Sequence, residues 1–137
     1  MKKLLTMLTT FCVVLCFAAC SSNTPSGVAE QSIKYLMEEK YDKYTDLLYV
    51  SDADKEDPEK LKKDKEEFTQ LLEAKYSETV KNTGGIDSYK VTSEDVADDG
   101  ETAVVHLDVT YKNGKTDDYA VKLCKDSDGN WKVTLGK

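Results

Sequence analysis

At Gly84-Gly85 the apolar pattern of this chain changes from a helical period of 3.6 residues to a strand period of 2, and the two sides cannot share an architecture. Before that point the chain reads as helices. Thr24 is a cap and Pro25 a first helical residue, and Val28, Ile33, Leu36 and Met37 keep one face to about Lys40. Asp42 then caps a short second helix that offers Tyr44, Leu47 and Leu48 on one side and stops before the charged stretch Ser51 to Asp57. Asp57-Pro58 opens a third helix with Leu61, Phe68, Leu71, Leu72, Tyr76 and Val80 on one stripe, ended by Asn82-Thr83-Gly84-Gly85. After it, turn signals at Asp98-Asp99-Gly100, Asn113-Gly114 and Asp128-Gly129 separate four strands, which such short spacings join as a meander. Ala103, Val105, Leu107, Val109 and Tyr111 share one face of the second strand, Tyr119, Val121 and Leu123 of the third, and Trp131, Val133 and Leu135 of the last. One side of the sheet must therefore be covered, and the helices are the available cover. The expected class is α+β, with N-terminal helices packed on one face of a four-stranded antiparallel sheet.

The first residues set the compartment. Lys2 and Lys3 precede an apolar stretch from about Leu4 to Phe17, too short for a spanning helix of roughly 20 residues and suited to a secretory signal. Phe17-Ala18-Ala19-Cys20 resembles the lipobox of the signal peptidase II pathway, with Phe17 where Leu is usual. That resemblance implies removal of residues 1–19, acylation of Cys20 and a polar tether over residues 20–26, leaving 27–137 as one domain. It also implies a lipid-anchored envelope protein. Ser21, with no aspartate behind the cysteine, resembles outer-membrane sorting on the periplasmic side in a Gram-negative host.

Cleavage would leave 17 lysines against 26 acids, a net charge of about −9 compared with −7 for the whole chain, so nucleic acid is not an expected partner. There is no arginine, and hence no planar fork for gripping phosphate or carboxylate. Cys12 and Cys16 would leave with the signal, so Cys124 is the remaining free thiol and is read as a small residue packed at a strand end.

The helices-then-sheet order, the Tyr41-Asp42-Lys43-Tyr44 helix start, the Asp99 to Val105 strand entry and the closing Gly129-Asn130-Trp131-Lys132-Val133 resemble the nuclear transport factor 2-like superfamily, and more closely its small uncharacterised lipoprotein families. The resemblance implies a curved sheet and a cone between helices and sheet. It also implies a ligand cavity, made small or closed here because only Tyr49 to Asp57 lies between the second and third helices.

Catalytic relatives place acids and histidines inside that cone. The apolar positions read here carry no Asp, Glu or His, so no catalytic residue is assigned and a binding or accessory module is expected. The alternative is a small isomerase or cyclase with tyrosine hydroxyls as donors and an acid from the third helix as base. His106 alternates away from Val105 and Leu107 beside Asp108, and is read as a surface histidine. Asp126, Asp128 and Asn130 sit at alternate positions, but Trp131 stands where a calcium loop needs glycine, so they read as a turn. Asp52, Asp54, Glu56 and Asp57 lack ligand spacing; no metal or cofactor is expected. Of eight tyrosines, Tyr35, Tyr44, Tyr76, Tyr111 and Tyr119 fall on or beside apolar stripes. With Trp131 they are the expected lining of any cleft, whose occupant would be a small apolar ligand; a neighbouring envelope protein is the other partner considered.

Overall fold

The computed structural model describes residues 23–135. Four helices, α1 (Pro25–Met37), α2 (Tyr41–Asp46), α3 (Asp52–Lys55) and α4 (Pro58–Thr83), precede four strands, β1 (Ile86–Val96), β2 (Thr102–Tyr111), β3 (Thr116–Lys125) and β4 (Trp131–Val133). The strands pair antiparallel in the order β1-β2-β3-β4, the meander expected from the turn residues.

The apolar alternation of β2 becomes the core of the sheet. Val105, Leu107 and Val109 are fully buried, with Ala103 and Tyr111 close behind. Two register shifts in β1, between Ile86 and Ser88 and between Val91 and Ser93, curve that edge. Helix α1 lies across β1, β2 and β4 and buries Val28, Ala29, Ser32, Ile33 and Leu36 against them. Its start follows the expected chemistry: the Thr24 side chain accepts from Gly27 N at 3.0 Å, satisfying one of the free amides of the first turn. Its end is a Schellman turn in which Lys40 N reaches Tyr35 O at 2.8 Å and Glu39 N reaches Leu36 O at 3.1 Å. That turn puts Glu39 in the left-handed region at φ 56, a position glycine usually takes.

Residues ahead of α1 are bound to the fold. Asn23 Oδ1 accepts from Trp131 N at 3.1 Å, and Glu94 Oε1 accepts from both Ser26 N and Ser26 Oγ at 2.9 Å. Residues 23–26, read as part of the tether, thus hold the two edges of the sheet. Cys20 and the signal segment lie outside the described residues.

Several side chains depart from the sequence reading. Lys40, not Asp42, caps α2, without a side-chain bond, and Tyr41 and Thr45 are its buried residues. Leu47 ends the helix in right-handed helical conformation, and Leu48-Tyr49-Val50 leave it as a non-helical segment. Tyr49 N donates to Val133 O and Val133 N to Leu47 O, each at 2.8 Å, so the segment adds a short parallel pairing beside β4. Leu135 lies past the end of β4 and is 63% exposed. Tyr119 shares the face of Val121 but is 43% exposed.

The largest departure is α4. Of its 26 residues only Tyr76 is buried. It packs on α2 and α3 rather than across the sheet. Asp57 caps its start through Lys60 N at 3.1 Å, and Gly84 ends it at φ 82. A Cβ at Gly84 would stand 3.0 Å from the Lys112 Cβ, so both conformation and space require glycine there. No helix among the described residues is long and apolar enough to cross a membrane.

Candidate functional site

Two regions stand out, a cleft beside the first half of α4 and a phenol cluster near its other end. The first is a cleft of about 230 Å³ between α2, the Leu48–Val50 segment, α3 and the first half of α4. Leu48, Val50, Leu61 and Phe68 supply apolar walls, Tyr49 stands half in solvent, and Asp54, Asp64 and Lys65 form the rim. The sequence produces it in two steps. The non-helical run at residues 48–50 separates α2 from α3, and the i, i+4, i+7 spacing of Leu61, Lys65 and Phe68 turns one face of α4 toward the gap. Tyr44 backs this wall, its ring stacked on Phe68 at 6.5 Å between centroids and 18° between planes. Burial, with a smaller contribution from Tyr119, pushes the Tyr44 phenol up to about 12. Thr45 is buried beside it, meeting Thr69 Oγ1 at 2.9 Å and donating to Tyr41 O.

The second region is a cluster of phenols over the start of β3. Tyr76 is buried, packs edge-on to Tyr41 at 6.2 Å, and accepts from Ile86 N at 3.2 Å. Tyr111 is buried beside it, and its hydroxyl is held protonated first by burial and then by the nearby Asp117 carboxylate, with Tyr119 and Tyr76 adding to the shift. Asp117 lies directly opposite Val109, and Glu94 opposite Val105, so both share the core face of the sheet. The expectation of an inward face without acids omits these two, both of which are exposed. That reading followed the apolar positions only and stopped at Tyr119, two residues short of Asp117.

Three of the expected pocket residues, Tyr76, Tyr111 and Tyr119, come together in this way, and Tyr44 stands between them and the cleft, near Tyr119. The other two stand apart. Tyr35 accepts from Gln31 Nε2 at 2.8 Å on α1, and Trp131 is buried at the start of β4 with Lys125 Nζ 5.2 Å from its ring centre. The cleft residues Leu48, Tyr49, Val50, Leu61 and Phe68 were not assigned from sequence. The signal was present in four consecutive apolar residues at 47–50, a pattern that fits a short covered strand better than a helix end.

The remaining reactive groups face elsewhere. His106 meets Asp118 Oδ1 at 3.4 Å rather than Asp108, because the β2–β3 register sets Asp118 diagonally across from it. Cys124 is half-buried on the opposite face of β3 from the core, and burial, followed by Asp126, pushes its thiol up. The turn after β3 is organised by Asp126, whose Oδ1 accepts from Asn130 N at 2.9 Å and Asp128 N at 3.0 Å. Those bonds, the one from Asn130 first, hold its carboxyl below the usual range against the opposing effect of burial.

Comparison with known proteins places this geometry. The family described as "Domain of unknown function (DUF4878)" matches residues 18–134. No curated protein matches the chain. Among solved structures, a Campylobacter jejuni protein provisionally described as an NTF2-like transpeptidase superimposes with a TM-score of 0.61 at 19% identity, over 82% of this chain and 99% of that one. Likeness at this identity shows a shared fold: helices on a curved four-stranded antiparallel sheet.

Proposed function

The chain belongs to the DUF4878 family of unknown-function domains and has an NTF2-like fold, and on that premise we propose that it is a lipid-anchored envelope protein with a non-enzymatic binding domain. In this reading residues 1–19 are a signal, Cys20 carries acyl chains and the domain takes a small apolar group into the Leu48–Phe68 cleft. In a Gram-negative host the outer membrane, on its periplasmic side, is the favoured location. Each buried acyl methylene contributes about 0.8 kcal/mol, so two or more long chains hold the protein on the membrane essentially permanently.

The observation that carries the binding half is the cleft itself, an apolar hollow with a polar rim beside α4. Its volume lies just below the roughly 300 Å³ at which drug-sized sites begin, which suits a side chain or a short apolar group. Ser32 and Thr45 are the buried polar residues among those described, so the interior offers no buried acid or base of the kind used for proton transfer. A transpeptidase needs an activated nucleophile. Cys124, with its thiol pushed up by burial and by Asp126, is poorly suited to that role.

Two measurements test the proposal. Cys20→Ala should move the protein from the membrane to the soluble fraction; persistent membrane association contradicts the anchor. N-phenyl-1-naphthylamine, a neutral dye that brightens in apolar sites, should brighten with the wild type and lose most of that signal in Leu61→Asp. Equal brightness in Leu61→Asp and wild type contradicts the cleft. A second reading, a small isomerase or cyclase, is favoured by one observation, the Asp117 carboxylate facing Tyr111 beside Tyr119. A crystal structure with ordered water or a bound carbonyl bridging Tyr111 and Asp117 supports it, and a dry, packed contact there ends it.

A further inference from the structure

The bonds ahead of α1 determine how an anchored domain must stand. Asn23 is already tied to Trp131 N, and Ser26 to Glu94, so the folded part begins three peptide links after Cys20. Those links reach at most about 11 Å when fully extended. The end of the sheet that holds Asn23 is therefore kept within that distance of the acylated residue.

The topology shows what else lies at this end. The ends of β1 and β3 and the starts of β2 and β4 meet there, with the Asp98–Glu101 and Asp126–Asn130 turns between them. Ser127 Oγ donates to Asp52 Oδ1 at 3.2 Å, which brings α3 and the start of α4 to the same end. Val96, 46% exposed, lies there as well. At the other end, Lys112 N donates to Gly85 O and Asn113 N to Thr83 O, placing the end of α4 beside the Asn113-Gly114 turn. Helix α4, with 26 residues, is about 39 Å long and separates the two ends.

We propose that the domain stands on the bilayer with this Asn23 end against the headgroups, the Leu48–Phe68 cleft beside the membrane surface and the Asn113-Gly114 turn farthest from it. The proposal rests on acylation of Cys20. It deepens the binding reading by naming the occupant of the cleft as an apolar group presented at the bilayer surface, not one arriving from bulk solvent. The short link, not attraction, sets the posture. Asp98, Asp99, Glu101, Asp126 and Asp128 crowd this end, and an anionic surface would repel them. Zwitterionic phosphatidylcholine vesicles are accordingly the test surface.

The acylated protein, with Cys124→Ala to remove the native thiol, is labelled with a fluorophore at Asp128→Cys, Ala53→Cys or Lys115→Cys in separate variants. All three positions are exposed, and the bonds of Asp128 and Lys115 in their turns include their backbone amides, which the change retains. Vesicles containing headgroup spin-labelled lipid should quench the labels at positions 128 and 53 several-fold more than the label at 115. A Gly/Ser spacer of about ten residues between Ser22 and Asn23, with a span of about 17 Å, should erase that difference while the protein stays on the vesicles. Equal quenching at the two ends of membrane-bound protein, or stronger quenching at 115, overturns the orientation alone. Wild-type protein recovered without acyl chains in the soluble fraction overturns the anchor and the orientation with it. Orientation as stated, with dye brightening unchanged in Leu61→Asp, would instead refute the cleft.

Discussion

Helix α1 has 13 residues and buries six of them, whereas α4 has 26 and buries one. Both are amphipathic in sequence, and both open with a capped proline. What separates them is where each crosses the sheet. Helix α1 runs across three strands and fills the space over Val105 and Leu107, while α4 leans on α2 through Phe68 and on the start of β1 through Tyr76. The inner stripe of α4 (Leu61, Phe68, Leu72, Val80) is half-buried, and Leu71, a quarter-turn off it, is 53% exposed. An apolar stripe tells which face a helix turns inward; the length of core opposite that face decides how much is covered. Here the shortfall leaves the cleft open.

The difference can be broken by mutation, most of all at Ile33. Ile33→Ala removes a side chain that is 1% exposed and should lower stability by about 3 kcal/mol in urea unfolding. A loss under about 1 kcal/mol would show that α1 is not the frame. The next effect is on the α2–α4 contact and appears at high pH. The Tyr44 phenol titrates near 10 when unfolded and is pushed up to about 12 in the fold, so the folded state holds its proton longer. Its contribution is fully present below about pH 10 and is lost as pH rises from 10 to 12, up to about 3 kcal/mol. Tyr44→Phe should abolish that portion of the alkaline fall in a pH series of unfolding curves.

Tyr76→Phe leaves the Ile86 amide without its partner in a buried place and should cost about 1 to 2 kcal/mol. A neutral result would mean that water reaches the amide and that the end of α4 is looser than described. The smallest effect is expected at Leu71→Ala, within about 0.5 kcal/mol of wild type by the same denaturation assay. A loss near that of Ile33→Ala would indicate that another molecule covers this face in solution.

The fold was legible where local chemistry decides it. Thr24, Asp57 and Gly84 act as the caps they resemble, and the alternation of residues 103–111 maps onto burial position by position. What escaped the sequence depends on partners far along the chain. Tyr119 and Leu135 fit the apolar alternation but stay 43% and 63% exposed, because how far each face is covered depends on elements remote in the sequence. The partner of His106 is Asp118 because of a register that only the pairing reveals. Asp117 was passed over because a face was traced through its apolar members alone. The cleft was missed for a related reason: the second helix was run on through Leu48 to the charged stretch, whereas it ends at Leu47 and residues 48–50 wall the hollow beside α4.

The central claim is that α1 and the sheet form the frame, while the first half of α4 sits at its open margin and walls the cleft. Residue-resolved native hydrogen exchange tests it most directly. The amides of Ile33 and Leu36 should exchange only through global unfolding, and those of Lys62 to Phe68 through a smaller opening several kcal/mol lower in free energy. Equal protection in the two helices would contradict it, making α4 part of the frame and its cleft a rigid surface feature.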